Sequence, residues 1–338
     1  PNTPAPSDER TRQKSTYRSR ETVQTTGTSS VECVGWIERN IQYAPKLLKK
    51  LAEEFPAHPS TGVLDAAAHR LGEAQCMEAS QGAPNERVLA CGMPVVNRNV
   101  LRAYLGEIMS GQDVPVIVVE GARGLGRSHS WNLIRYVANA LPGTKPVLID
   151  LIGPITSGQN LLQLFKYLVS LLALPPGDTP TLLATSSITQ SERCLGELAG
   201  RIQTASASWP KKPWLVFDHL DRDIVAPEVK YFVMGLAALR LQGVIDGFVI
   251  FLLGPDPTAQ LNDPAALARR EPLTDLLDPE IFETMKRLNA LGKTKLTDAE
   301  LAQTQHSLST MRAGRPAREF LSCVCSELVA MRQRVGAC

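Results

Sequence analysis

The segment Gly121-Ala122-Arg123-Gly124-Leu125-Gly126-Arg127-Ser128 has the residue types and spacing to hold a phosphate. It follows the pattern G-x-x-x-x-G-K-S, except that Arg127 stands where lysine is expected. Glycines let successive backbone N–H groups turn inward around an anion without Cβ clashes. A helix opening at Ser128 would add its free N–H groups and the positive end of its dipole. On this reading Gly121, Arg123, Gly124, Leu125, Gly126, Arg127, Ser128 and His129 contact the phosphates, and the Ser128 hydroxyl can ligate Mg²⁺. Arg127 can neutralise phosphate bidentately, but its planar fork is wider than a lysine ammonium. Binding can therefore survive while hydrolysis falls.

A second signal is Trp214-Leu215-Val216-Phe217-Asp218-His219-Leu220-Asp221, an apolar run that ends in a carboxylate. An Asp at the C-terminal edge of a parallel strand beside a phosphate loop can hold a magnesium shell, which makes Asp218 the second expected metal residue. The next position carries His219 and not a glutamate that could polarise water. Asp221 is left as the candidate catalytic acid.

These residues need a scaffold to bring them together. Val116-Ile117-Val118-Val119 is a continuous β-branched run, as in a parallel strand buried on both faces. Further strands are expected at Val147 to Leu151, Trp214 to Asp218 and Phe248 to Leu253, with a short fifth at Arg269 to Leu273. Helices are expected at Val100 to Met109, Ser130 to Leu141, Leu161 to Leu172 and Val229 to Leu241. This alternation predicts right-handed crossovers and an α/β fold. Its parallel sheet of about five strands would carry helices on both faces. After Pro264 the texture is helical: Glu280 to Leu291, Asp298 to Met311 and Ala317 to Val335. The organisation read from this is a disordered tail at 1–30, a helical adaptor at 31–82, a nucleotide-binding core at 90–277 and a helical lid at 278–338. In the adaptor, Trp36, Ile37, Ile41, Leu47, Leu48 and Leu51 recur at helical spacing, and a second helix follows from Val63.

Composition narrows the function classes. Of 338 residues, 43% are hydrophobic and 21% charged, as in an ordinary globular chain. A net charge of +2 argues against nucleic acid as the main partner. The basic stretch Arg10 to Arg20 sits among Pro, Ser and Thr and reads as a solvated tail, with a basic arm as the other reading. Seven scattered cysteines show no Cys-x-x-Cys pair, which points to a reducing cytoplasm. The apolar runs are shorter than the roughly 20 residues a membrane span needs.

The order Pro94-Val95-Val96-Asn97-Arg98, then the glycine loop, then Asp218-His219-Leu220-Asp221-Arg222, resembles the AAA+/STAND group of signalling ATPases. Within that group it looks like the bacterial ATPases of conflict and defence loci, found beside effector proteins. The resemblance covers about residues 90–335. It implies that Val96, Asn97 and Arg98 line an adenine pocket, that ATP or ADP with Mg²⁺ is the cofactor, and that a lid arginine, Arg318 or Arg315, reaches the terminal phosphate. Gly254-Pro255 depart from the polar residue such proteins carry after the fourth strand. The resemblance further implies a nucleotide-controlled switch coupled through the N-terminal module to an effector protein, and homo-oligomerisation. The rival readings are a pseudo-ATPase scaffold, favoured by Arg127 and His219, an initiator-like DNA-binding ATPase, and a small-molecule kinase.

Overall fold

A computed structural model describes residues 44–79, 82–90, 92–153, 160–177, 187–254 and 268–337. The expected tail, the adaptor residues Trp36, Ile37 and Ile41, and Pro255 lie outside the described residues.

Two helices, α1 (Ala44–Glu54) and α2 (Thr61–Ala79), pack against each other. Thr61 ties the turn between them, its hydroxyl donating to the carbonyls of Phe55 and His58. A two-residue ladder follows, β1 (Leu89–Ala90) against β2 (Met93–Pro94), which the sequence pattern did not suggest. Then come α3 (Asn99–Met109), β3 (Val116–Glu120), α4 (Ser130–Ala140), β4 (Thr144–Asp150) and α5 (Leu161–Leu171). They are followed by α6 (Ser187–Ala205), β5 (Lys212–Asp218), α7 (Pro227–Leu241), β6 (Val249–Leu253) and β7 (Arg269–Pro272). The chain continues through α8 (Asp278–Leu291), α9 (Asp298–Arg312) and α10 (Ala317–Val335).

The fold is α/β. Five parallel strands lie in the order β4-β5-β6-β3-β7. Side chains alternate across the sheet, so each strand feeds two cores. Val116, Val118, Leu215, Phe217, Ile250 and Leu252 face α5, α6 and α7. Ile117, Val119, Trp214, Val216, Val249, Phe251 and Leu253 face α3 and α4. This division follows from crossover handedness. From β3 the chain moves outward to β4, then steps back through β5 to β6, so α4 falls on one face and α5 to α7 on the other. Such a reversal of direction opens a crevice at the carboxyl ends of the strands, beside β3. The glycine loop leaves β3 at that end.

α6 was missed in the sequence. Its apolar set Cys194, Leu195, Leu198, Ala199, Ile202 and Ala205 does recur at helical spacing, but many of the residues between are Ser, Thr, Glu and Arg. Tertiary burial against α7 supplies what weak propensity does not.

The C-terminal helices form a third core of their own. Ile281, Met285 and Leu288 of α8 meet Leu301 and Leu308 of α9 and Phe320, Val324, Leu328 and Met331 of α10. Val88, Leu89 and Val96, from before the central sheet, are buried in the same cluster. The starts of α8 and α9 use their own side chains: Glu280 accepts from the Leu277 N–H, and Thr297 and Glu300 satisfy each other's amides. Among the described residues no helix is long and apolar enough to cross a membrane.

Candidate functional site

The loop after β3 is held open by backbone geometry. Gly121, Gly124 and Gly126 have φ of 142°, 91° and 81°, a region L side chains rarely adopt. Close packing adds a second reason for glycine. A Cβ at Gly124 would sit 2.9 Å from Cβ of Arg318, and one at Gly126 would sit 2.7 Å from Cδ2 of Leu321. The first turn of α10 thus lies directly on the loop. Among the described residues, nothing accepts from the amides of Gly124, Gly126, Arg127 or Ser128, while those of Leu125 and His129 close turns onto Ala122 and Gly126. A 3-10 turn at Arg127–His129 precedes α4, which begins at Ser130 as the sequence pattern suggested.

Across the crevice, the register of β4 on β5 sets Asp150 beside Asp218. Ser128 lines the same cleft as Asp218, near enough for its hydroxyl to favour the ionised carboxylate. Burial pushes the Asp218 carboxyl above its ordinary range, more than the Ser128 and His219 contacts lower it. His219 has φ of 68°, a position helped by its amide donating to Asp218 Oδ1 at 2.8 Å. Its ring turns to β4, with Nδ1 2.8 Å from Oδ1 of Asp150.

Arg127 reaches neither a free carbonyl nor open solvent. Its Nη2 lies 2.6 Å from Oδ2 of Asp221, with side-chain exposures of 10% and 5%. Its Nη1 is buried without a hydrogen-bond partner. Arg123 meets the same Asp221 oxygen at 3.2 Å from a more exposed position. Burial would raise the Asp221 carboxyl, but the two guanidinium groups outweigh it and hold the group below its usual range.

Arg123, Gly124, Gly126, Arg127, Ser128, Asp218, His219, Asp221, Arg222, Arg318 and Leu321 line one cleft of about 350 Å³. Of the two expected lid arginines, Arg318 faces this cleft. Arg315 lies in a neighbouring cavity with Leu125, its Nη1 3.1 Å from the Cys323 sulfur. Gly254 packs closely: a Cβ there would lie 3.2 Å from Cβ of Leu220, so a side chain at the end of β6 would require the Asp218–Asp221 turn to give by a few tenths of an ångström.

Val96, Asn97 and Arg98 do not gather around one pocket. Val96 is buried in the helical core, and Asn97 donates to Glu280 Oε2 at 3.1 Å. Arg98 is buried and donates to the Gly126 carbonyl and the Ser130 hydroxyl, each at 2.9 Å. It also reaches the carbonyls of Val96 and Asn97. Burial lowers its pKa to about 10, which leaves it charged at neutral pH. The tripeptide ties the glycine loop to the C-terminal helices.

His129 points away from the cleft. Its Nε2 donates to the Pro94 carbonyl at 3.1 Å, and Nδ1 accepts from Asn132 at 3.3 Å. Burial lowers its pKa below the ordinary histidine value of 6.5. The unfolded chain then binds the extra proton first as pH falls through 6.5, so this contribution to stability is present above that pH and lost below it. A His129→Gln variant is expected to show a flatter fall in melting temperature between about pH 6.5 and 5 than the wild-type protein. Equal slopes in the two would remove His129 as the cause.

Asp150 and Arg222 were not among the residues expected at the site. A carboxylate ending the strand Val147-Leu148-Ile149 was a visible signal for Asp150, but its partner strand is set by sheet order, which the sequence does not give.

No family model and no curated protein matches the chain. Among solved structures, it is similar to the Aeropyrum pernix ORC2 protein in its ADP form, with a TM-score of 0.40 and 16% identity. The match covers 69% of this chain and 63% of that one. This chain thus spans less than two thirds of that protein's length, and the overlap is too loose to carry its properties across.

Proposed function

We propose that this chain binds a nucleoside triphosphate with magnesium, and that it works as an AAA+/STAND-like switch. The observation that carries this reading is that Ser128 and Asp218 share one cleft beneath a loop with unpartnered amides. A hydroxyl and a strand-end carboxylate brought together there are the two protein ligands that a phosphate-bound Mg²⁺ uses. Among the described residues no group of three or more His, Cys, Asp or Glu side chains forms a metal cage. That fits an ion held jointly by protein and phosphate oxygens. The buried, unpartnered Nη1 of Arg127 supplies a donor that an anion in the cleft would satisfy.

In this reading the amides of Gly124, Gly126, Arg127 and Ser128 grip the phosphates, and Arg127 and Arg123 neutralise them. Asp221 holds both arginines in place and yields to phosphate. Arg318, on the first turn of α10, senses the terminal phosphate, and Arg98 with Asn97 passes loop occupancy to the helical lid. Nucleotide that touches both loop and lid favours the closed population. The helices α1 and α2 are the surface we assign to an effector protein. The same cleft supports a second reading, a scaffold that binds without turnover, because Asp221 is engaged by Arg127 at 2.6 Å.

Calorimetric titration with Mg-ATP tests the proposal. Wild-type protein is expected to bind. Ser128→Ala is expected to lose about tenfold in affinity with Mg²⁺ present, and little when a chelator has removed it. No ATP binding at millimolar concentration by folded wild-type protein would end the nucleotide reading.

A further inference from the structure

We propose that Asp150 and His219 form a dyad that orients the water attacking a bound triphosphate, an inference that rests on the nucleotide reading above. The geometry begins with the sheet. Register between β4 and β5 puts the Asp150 carboxylate level with Asp218, one strand further from the loop. The left-handed backbone at His219 turns its ring sideways across the strand ends, where Nδ1 meets Asp150 Oδ1 at 2.8 Å. At this distance the carboxylate oxygen accepts and Nδ1 donates. In the neutral ring this fixes the tautomer, and Nε2 presents a lone pair. Among the described residues nothing donates to that lone pair, and His219 lines the same cleft as Ser128, Arg127 and Arg318. The second carboxylate, Asp218, is 3.9 Å from Nδ1 and is already engaged by the His219 amide. Asp221 is occupied by two arginines. Among the described side chains of the cleft, His219 Nε2 is therefore an acceptor that is positioned and without a competing partner.

In the step, a water donates a hydrogen bond to Nε2, and its oxygen is directed at the terminal phosphorus. The new oxygen–phosphorus bond forms as the bond from that phosphorus to the bridging oxygen breaks. The electron pair leaves with the nucleoside diphosphate, and both water protons leave on inorganic phosphate. His219 supplies alignment, and Asp150, acting through it, is a positioning residue.

The test pairs ATP binding with phosphate release in single turnovers, using the full chain. His219→Gly keeps the left-handed backbone free of strain, and His219→Asn is a second variant that tolerates it. Both are expected to bind Mg-ATP as wild type does and to release phosphate about 100-fold more slowly. Added imidazole is expected to restore part of the rate in His219→Gly only. Asp150→Asn is expected to lose about tenfold in rate with unchanged affinity. Nitrogen NMR of wild-type protein should show the Nδ1–H form of His219, and a mixed tautomer in Asp150→Ala. Wild-type rates in both histidine variants, or ATP binding by wild type without phosphate release, would overturn the dyad and leave binding intact. Failure of wild type to bind ATP at all would instead strike the nucleotide reading.

Discussion

Replacing Arg98 by alanine is expected to cost about 3–5 kcal/mol of stability, among the largest single effects in the molecule. The guanidinium is buried and holds the Gly126 carbonyl, the Ser130 hydroxyl and two carbonyls of its own strand exit. Truncation strands those buried groups without partners and opens a cavity between loop and helices. It also removes the positive charge that steadies Glu271, a buried carboxyl raised by desolvation and lowered by its bond to the Leu101 amide and by Arg98. Arg98→Lys is expected to recover only part, since an ammonium cannot span the fork of acceptors. Denaturant titration measures both. A variant within about 0.5 kcal/mol of wild type would show that the tie between loop and helices is incidental.

The second large effect is expected at Gly124. Alanine there meets two obstacles: a backbone φ of 91°, and Arg318 Cβ and N at 2.9 and 3.1 Å from the new methyl. The strained conformation costs about 1–3 kcal/mol. The contacts are with the base of a side chain and the backbone, so neither can swing aside. The start of α10 must lift off the loop. ATP affinity is expected to fall at least tenfold on the proposed reading, about 1.4 kcal/mol or more. Protease sensitivity near Gly314-Arg315-Pro316 is expected to rise. Wild-type affinity together with wild-type protection would separate the loop from the lid.

Much of the architecture could be read from the residues. The β-branched run at Val116–Val119 and the apolar run before Asp218 are buried on both faces, and only parallel strands covered on two sides need such sequences. The bounds of α10 were readable because Gly314 and Pro316 precede it and Gly336 takes the left-handed turn that ends it. Strand order was not readable. It decides that Asp150 stands next to Asp218, and no local pattern encodes which strands become neighbours. The expectation for Val96 to Arg98 shows the same limit. Spacing placed the tripeptide before the loop, but whether its side chains meet a ligand or the protein depends on the C-terminal helices folding over it. Arg127 was visible as a substitution; its engagement by Asp221 was not, because an ion pair across a crevice depends on the turn after β5.

Val88, Leu89 and Val96 are housed among helices made after the central sheet. On the ribosome they emerge before the sheet and wait for partners that follow it. The α/β layer can close its own two interiors before then, but this strip of oily surface cannot be hidden until α10 arrives. Delayed assembly of that kind makes the strip a natural station for chaperones, and it means that damage to α10 would be felt at residues translated before the sheet.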